Sequence, residues 1–235
     1  MARRVVFWDF DGTLARRDGL FAGALIDAWS RVARPTATRE EIRPFLTGGF
    51  PWHAPDIVIE PLTSARWWER MRPVFVGAFT GVGASRDVAE SAAALVAAEF
   101  YRLDAWAVVD GAEHALQLTR SAGYDNVILS NHGPELPELV AALGLSRWVE
   151  RTVTSAAVGA EKPNPKIFQH ARVVADAGAD AWMVGDNPLA DVQGAEGVGL
   201  RAILADGAYP DARGMTVLEA ARRIVSTATA GSLAP

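Results

Sequence analysis

The chain has 235 residues, 23 of them basic and 28 acidic, so its formal net charge is −5, and it contains no cysteine. The absence of cysteine excludes disulfides, thiolate metal sites and thiol catalysis, and the mild negative charge argues against nucleic acid or an anionic membrane as partner. No stretch reaches the roughly 20 apolar residues that a membrane span needs, so we expect a soluble, cytoplasmic chain with one large α/β domain or one domain with an insertion.

Short apolar runs that end in a polar or acidic residue recur along the chain. Continuous apolarity, as opposed to alternation, is typical of strands buried on both faces of a parallel sheet. In chain order the predicted strands are residues 5–8, 127–129, 152–154, 182–184 and 202–204.

Helical patterns separate most of these runs. Residues 113–121 form one such segment, which Gly123 terminates, and residues 134–143 form the next. Pro165 opens a helix that we expect to reach residue 177, and Thr216 with Glu219 forms the capping-box pattern of a last helix. Strands that alternate with helices predict a doubly wound, Rossmann-like α/β core with a parallel sheet.

About 115 residues separate the first predicted strand from the second, far more than one crossover connection requires. Within this stretch, apolar spacing and alanine content predict helices and no strand. One of these helices, residues 64–71, should end before Pro73. We therefore predict a helical cap of residues 15–105 inserted into a core made of residues 1–14 and 106–235.

Polar clusters follow the predicted strands. They are Asp9-Phe10-Asp11-Gly12-Thr13, Ser130-Asn131, Lys162-Pro163 and the segment from Gly185-Asp186 to Asp191. Ligands bind outside the carboxyl ends of strands in open α/β sheets, so we expect these clusters to share one crevice.

The residue types indicate phosphate chemistry. Clustered carboxylates suit a hard cation such as Mg²⁺, while Lys162 and Ser130 supply a cation and a hydroxyl for phosphate oxygens. One carboxylate can act as a covalent nucleophile, and a second can act as acid and base.

The motif order DFDGT, SN, KP, GDNPLAD resembles the haloacid dehalogenase-like hydrolase superfamily, from Val5 to about Leu204. The long insertion is similar to the helical cap of that superfamily. The resemblance implies that Asp9 is the nucleophile that forms an aspartyl-phosphate, and that Asp11 protonates the leaving group and then activates water. It also implies that Lys162 neutralises charge on the phosphoryl group.

The resemblance further implies a Mg²⁺ site and a phosphate site. The metal would be bound by the side chains of Asp9 and Asp186 and the backbone carbonyl of Asp11, with Asp191 either near the metal or orienting Lys162. The phosphate oxygens would be held by Ser130 and the backbone amide of Asn131, and Thr13 of the first motif is counted with the substrate-binding residues.

Residues of the cap are candidates for substrate specificity. The glycine-rich and aromatic stretch 47–53 can reach the active site, and it supplies Trp52 and His53. Arg16 and Arg17, directly after the first motif, complete this set of candidates. Together these features predict a Mg²⁺-dependent phosphatase that acts on a small phosphorylated metabolite.

Single residues distinguish between the activities that this fold could support. Asp11 and Asp186 argue against a dehalogenase. The absence of lysine from residues 1–161 excludes a phosphonate-cleaving relative that forms a Schiff base through a cap lysine. A sugar-phosphate mutase and a non-catalytic phosphate-binding protein stay open, and the sequence indicates no oligomeric state.

Overall fold

A parallel sheet forms the centre of the molecule. The computed structural model describes residues 2–206 and 214–231. In these ranges the strands are β1 Arg3–Trp8, β2 Ala15–Arg17, β3 Trp106–Val108, β4 Asp125–Ser130, β5 Arg151–Thr154, β6 Ala177–Gly185 and β7 Arg201–Leu204. Five of them form one parallel sheet in the order β5-β4-β1-β6-β7. This confirms the predicted doubly wound core.

Helices surround the sheet and fill the insertion. They are α1 Leu20–Val32, α2 Arg39–Ile42, α3 Ser64–Gly81, α4 Arg86–Ala93, α5 Val96–Phe100, α6 Ala112–Ser121, α7 Leu136–Ala142, α8 Ser155–Val158, α9 Pro165–Val174, α10 Gly194–Glu196 and α11 Val217–Gly231. A π-helical turn covers Pro188–Gln193, and 3₁₀ turns cover Arg43–Leu46, Pro51–His53, Leu103–Ala105 and Leu145–Arg147. Among the described helices, none combines the length and apolarity that would cross a bilayer.

Both faces of the sheet are covered by apolar side chains. Val6 and Trp8 of β1 face the hydrophobic cluster that includes α6, α11 and the inserted helices. Val5 and Phe7 point the opposite way, into a cluster with α9. All four residues are fully buried, which explains why the strand reads as a continuous apolar run and not as an alternating one.

The prediction that a helix ends before Pro73 is wrong. Helix α3 continues through this proline to Gly81. Its buried face repeats at a spacing of four residues, with Trp67, Met71, Phe75 and Phe79. Burial of each such side chain contributes about 1.5–3 kcal/mol, which together outweighs the roughly 3 kcal/mol that an internal proline costs.

Two other boundaries differ from the prediction. Helix α9 ends at Val174, and the strand after it already begins at Ala177. The alanine-rich stretch 86–100 is divided into α4 and α5. Element ends depend on tertiary packing, which a local pattern does not contain.

A two-stranded ribbon lies where the chain leaves and re-enters the core. Strands β2 and β3 pair antiparallel, with Arg16 opposite Ala107. Neither strand was predicted, because Ala15–Arg17 contains two arginines and no apolar run, and the pairing joins segments that are far apart in sequence. The ribbon coincides with the predicted limits of the cap, and helices α1–α5 lie between its two strands. The assignment of residues 15–105 as a separate cap stays a prediction.

Candidate active site

Polar side chains meet at the carboxyl edge of the three central strands. Asp9 follows β1, Ser130 ends β4 and Asp186 follows β6. The backbone N–H of Asp9 donates to the carbonyl of Val184 at 2.8 Å, which continues the strand pairing as far as the aspartate. The sheet therefore fixes the positions of these side chains, as the motif positions predict.

Asp9 is at the centre of a hydrogen-bonded group. Its Oδ1 accepts hydrogen bonds from the hydroxyl of Ser130 at 2.9 Å and from Nζ of Lys162 at 2.8 Å. The lysine ammonium also donates to Oδ1 of Asp191 at 2.5 Å. Burial works against the charged amine, but the carboxylates of Asp191 and Asp9 outweigh it and raise the pKa of Lys162. The lysine is therefore a fixed cation at neutral pH.

Two residues hold Lys162 in place. Both carboxylate oxygens of Asp191 accept hydrogen bonds, Oδ1 from Lys162 and Oδ2 from the backbone N–H of Asn187 at 2.9 Å. The side-chain amide of Asn131 donates to the carbonyl of Lys162 at 2.9 Å and accepts from its N–H at 2.6 Å. Of the two roles that the resemblance implies for Asp191, the hydrogen bonds favour orientation of the lysine.

Asp11 has the character of a proton donor. Desolvation and the nearby charge of Asp9 raise its pKa well above the usual range for aspartate. Its Oδ1 is shielded from solvent, forms no described hydrogen bond, and lies 3.9 Å from Nε2 of His132. Burial lowers the pKa of His132 to about 4, so this imidazole is neutral. Burial and the charge of Asp9 therefore favour the protonated form of the Asp11 carboxyl group.

The carboxylates could hold a divalent cation. One oxygen each from Asp9, Asp186 and Asp191 lie within 4.8 Å of one another, and all three residues are buried. Their hard oxygen atoms are the ligands that Mg²⁺ prefers, and the charge of Lys162 alone does not balance them. Both oxygens of Asp191 accept hydrogen bonds, from Lys162 and from the backbone of Asn187, so direct binding of the ion by Asp191 would compete with those bonds.

A cavity of about 570 Å³ opens in front of these groups. The predicted residues Asp9, Asp11, Ser130, Asn131, Lys162, Asp186, Asp191, Trp52 and His53 all line it. Three other candidates, Thr13, Arg16 and Arg17, do not. Thr13 is fully buried in the turn after β1, and its hydroxyl forms no hydrogen bond. Arg16 is exposed on the ribbon. Neither placement supports the predicted contact with substrate.

Sequence reasoning missed several side chains that line the cavity. His132 follows the Ser-Asn motif directly, and its position after β4 was an available signal. Phe21, Phe100 and Tyr101 come from the inserted segment, where only their aromatic character marked them. Trp67 of α3 is buried and also lines the cavity. Arg17 is buried and pairs with Asp27 at 2.7 Å, outside the cavity lining.

Known proteins resemble this chain over different lengths. It is 36% identical over 149 residues to haloacid dehalogenase-like hydrolase domain-containing protein 3 of Homo sapiens, across 62% of this chain and 58% of the relative. It is 37% identical over 97 residues to phosphoserine phosphatase of Thermus thermophilus, across 40% of this chain and 39% of that one. The alignment with the mouse counterpart of the human protein likewise spans only 59% of that relative.

Solved structures share the fold. The putative HAD-hydrolase YfnB from Bacillus subtilis, whose structure is described as bound to magnesium, has a TM-score of 0.69 at 17% identity, across 95% of this chain and 99% of that one. The HAD phosphatase from Thermococcus onnurineus has a TM-score of 0.64 at 22% identity, across 94% and 97%. The haloacid dehalogenase-like hydrolase family itself matches residues 3–199. Since this match covers most of the sequence and all of the carboxylate, serine and lysine motifs, the chain belongs to the haloacid dehalogenase-like hydrolase family.

Proposed function

We propose that this chain is a Mg²⁺-dependent phosphatase that hydrolyses a small phosphorylated metabolite through an aspartyl-phosphate intermediate. The observation that carries the proposal is the pairing of two different carboxyl groups at one cavity. Asp9 is held by Lys162 and Ser130 as an acceptor of hydrogen bonds, while burial and the charge of Asp9 raise the pKa of Asp11 and favour its protonated form. Two titratable groups whose environments differ in this way suit a nucleophile and an acid.

In the first step Asp9 attacks phosphorus. The described hydrogen bonds to this carboxylate are both accepted by Oδ1, so Oδ2 is the oxygen that forms the new bond. The bond between phosphorus and the leaving-group oxygen breaks, and Asp11 gives its proton to that oxygen. Lys162 holds positive charge beside the transferred group throughout.

In the second step water releases the phosphate. Asp11, now ionised, takes a proton from a water molecule, whose oxygen attacks phosphorus. The bond between phosphorus and Asp9 breaks, which regenerates the free carboxylate and yields inorganic phosphate. Asp11 ends protonated, ready for the next substrate.

Asp9, Asp186 and the backbone carbonyl of Asp11 would hold the Mg²⁺ ion. When bound, the ion supplies positive charge for the phosphoryl oxygens. The chain's own contribution is the fixed orientation of Asp9 and Lys162, which the sheet and Asp191 maintain.

A phosphatase accounts for the cavity better than a mutase does. A sugar-phosphate mutase must retain a substrate with a second phosphate while the first is transferred. Among the described residues that line the cavity, Lys162 is the only lysine or arginine, and it already binds two carboxylates. The cavity thus lacks a cation for a second phosphate.

The test is phosphate release from phosphate monoesters with Mg²⁺, compared between the native enzyme and Asp9→Asn. We expect turnover that chelation of Mg²⁺ abolishes, and no turnover in the variant. Asp87→Asn, an exposed aspartate on α4, is the matched control and should retain activity. Acid quenching during turnover should trap a phosphorylated protein only when Asp9 is present. Turnover by a folded Asp9→Asn enzyme would exclude Asp9 as the nucleophile.

A further inference from the structure

Apolar and aromatic side chains contributed by the inserted segment line the cavity together with the carboxylates. Those that carry the argument are Leu20, Phe21, Trp52, Trp67, Phe100 and Tyr101. They come from α1, from the 3₁₀ turn Pro51–His53, from α3 and from the end of α5. Since the leaving group of a phosphate monoester must extend away from Asp9, this surface is what it meets.

These aromatic rings are held in place by other rings. Phe21 stacks on Phe100 with centroids 4.4 Å apart and an angle of 19° between the planes. Trp52 stacks on Phe50 at 4.5 Å and 14°. Rings that are fixed before a ligand arrives lose little conformational freedom on binding, so they present flat apolar surfaces at low entropic cost.

This surface offers no cation. The one lysine of the described cavity lining is bound to Asp9 and Asp191. No arginine and no second lysine is found among the described residues of the lining, whose histidines are His53 and His132. A carboxylate or second phosphate on the leaving group would lose its hydration near several carboxylates without gaining a positive partner.

We infer that the substrates are phosphate monoesters of a flat, uncharged and largely apolar alcohol. This inference rests on the proposed phosphatase activity and narrows its substrate class. It distinguishes the chain from relatives such as the phosphoserine phosphatase and the ribulose-1,5-bisphosphate 5-phosphatase, since the substrate named for each carries a further charged group.

The test compares two esters that differ in one charge. Benzyl phosphate and 4-carboxybenzyl phosphate have the same ring and the same type of leaving alcohol. We expect kcat/KM for benzyl phosphate to be at least thirtyfold higher, with phosphoserine a poorer substrate than either. Equal or faster turnover of the carboxylated ester or of phosphoserine would overturn the inference and leave the phosphatase activity standing. No Mg²⁺-dependent phosphate release from any monoester, p-nitrophenyl phosphate included, would contradict the phosphatase proposal itself.

A substitution in the apolar surface sharpens the comparison. Trp52→Arg places a cation where the leaving group lies and should reduce the preference for benzyl phosphate at least tenfold. Val58→Arg adds the same charge at an exposed position outside the cavity lining and should leave the preference unchanged. An equal shift in both variants, or none in a folded Trp52→Arg enzyme, would contradict the assignment of this surface to the leaving group. The native enzyme's preference decides the inference if Trp52→Arg does not fold.

Discussion

The two sides of the cavity are lined by different kinds of side chain. On the core side, charged groups stand at the ends of parallel strands, and Lys162 is bonded to Asp9 and Asp191. On the cap side, aromatic rings from helices and a 3₁₀ turn form an apolar surface. If the proposed function holds, the sheet fixes the reaction while the insertion sets which alcohols fit beside it.

The core and the insertion each contain one buried cation, Lys162 and Arg17. The contacts of each cation indicate whether it serves the reaction or the stability of the fold. Lys162 faces the cavity. Arg17, whose side chain is only 1% exposed, binds Asp27 and the carbonyls of Leu20 and Glu99, away from the cavity. We interpret the lysine as catalytic and the arginine as the link that holds α1 and α5 to the ribbon.

Replacing the core cation should have the largest effect. Lys162→Arg keeps the charge, but a planar guanidinium does not fit a buried site shaped around one ammonium that lies 2.8 Å and 2.5 Å from two carboxylates. We expect kcat/KM to fall about a thousandfold, or roughly 4 kcal/mol in activation free energy. Steady-state kinetics with Mg²⁺ measure this.

Lys166→Arg is the matched control for that experiment. Lys166 is exposed in the first turn of α9, and we expect its substitution to leave activity and stability unchanged. An active Lys162→Arg enzyme, or equal losses in both variants, would show that a positive charge in this segment is sufficient and would contradict the geometric account.

Replacing the cap cation should affect stability. Arg17→Leu removes the ion pair with Asp27, which keeps only Arg102 at 3.2 Å, and takes the donor away from the backbone carbonyls of Asp18, Leu20 and Glu99. We expect the free energy of unfolding to fall by about 3 kcal/mol. Arg16 is the exposed neighbour and serves as the control. Arg16→Leu should change the free energy of unfolding by less than about 0.5 kcal/mol. Denaturant titration of both variants checks this. Equal losses in the two variants would show that the buried contacts of Arg17 do not stabilise the folded protein.

The smallest effect concerns Glu161, between the two sides. It is 5% exposed and lines a second cavity of about 260 Å³ together with residues between Gly49 and Arg70 of the inserted segment. Burial raises its pKa to about 7, so the folded protein binds a proton that the unfolded chain has released above pH 4.5. Stability contributed by the protonated form is therefore lost as pH rises from about 4.5 to 7.

Glu161→Gln removes this dependence. We expect the variant to be more stable than the native protein by about 2 kcal/mol at pH 8 and similar to it near pH 4.5. Thermal unfolding at both pH values measures the difference. Glu60→Gln, at an exposed position, should show none. A loss of stability at both pH values would mean that the carboxyl group is needed for another reason.

The core could be predicted because its sequence signals are local. Residues 5–8 are buried on both faces of the sheet. Their continuous apolar run can therefore be recognised as a strand without knowing which elements pack against it. Asp9, Ser130 and Asp186 each follow such a run, and the parallel order of the strands brings them together. Their convergence follows from strand ends alone.

The cap side depends on contacts that no local pattern contains. Pro73 predicts a helix end, yet tertiary burial of the side chains on both sides of it keeps α3 continuous. Phe21 and Tyr101 are 80 positions apart in sequence, and only the folded insertion places them at one cavity. Arg16 and Arg17 look alike in sequence, while the pleat of β2 exposes one and buries the other.

The β2–β3 ribbon has a consequence for how this chain can be altered. The backbone N–H of Val109 donates to the carbonyl of Leu14 at 2.9 Å, so the segment between them begins and ends at one hydrogen bond. Segments whose ends lie side by side can be exchanged for others of different length without separating the strands that flank them. The ribbon is thus a suitable place to replace the inserted segment with one from another protein while keeping the groups at the strand ends.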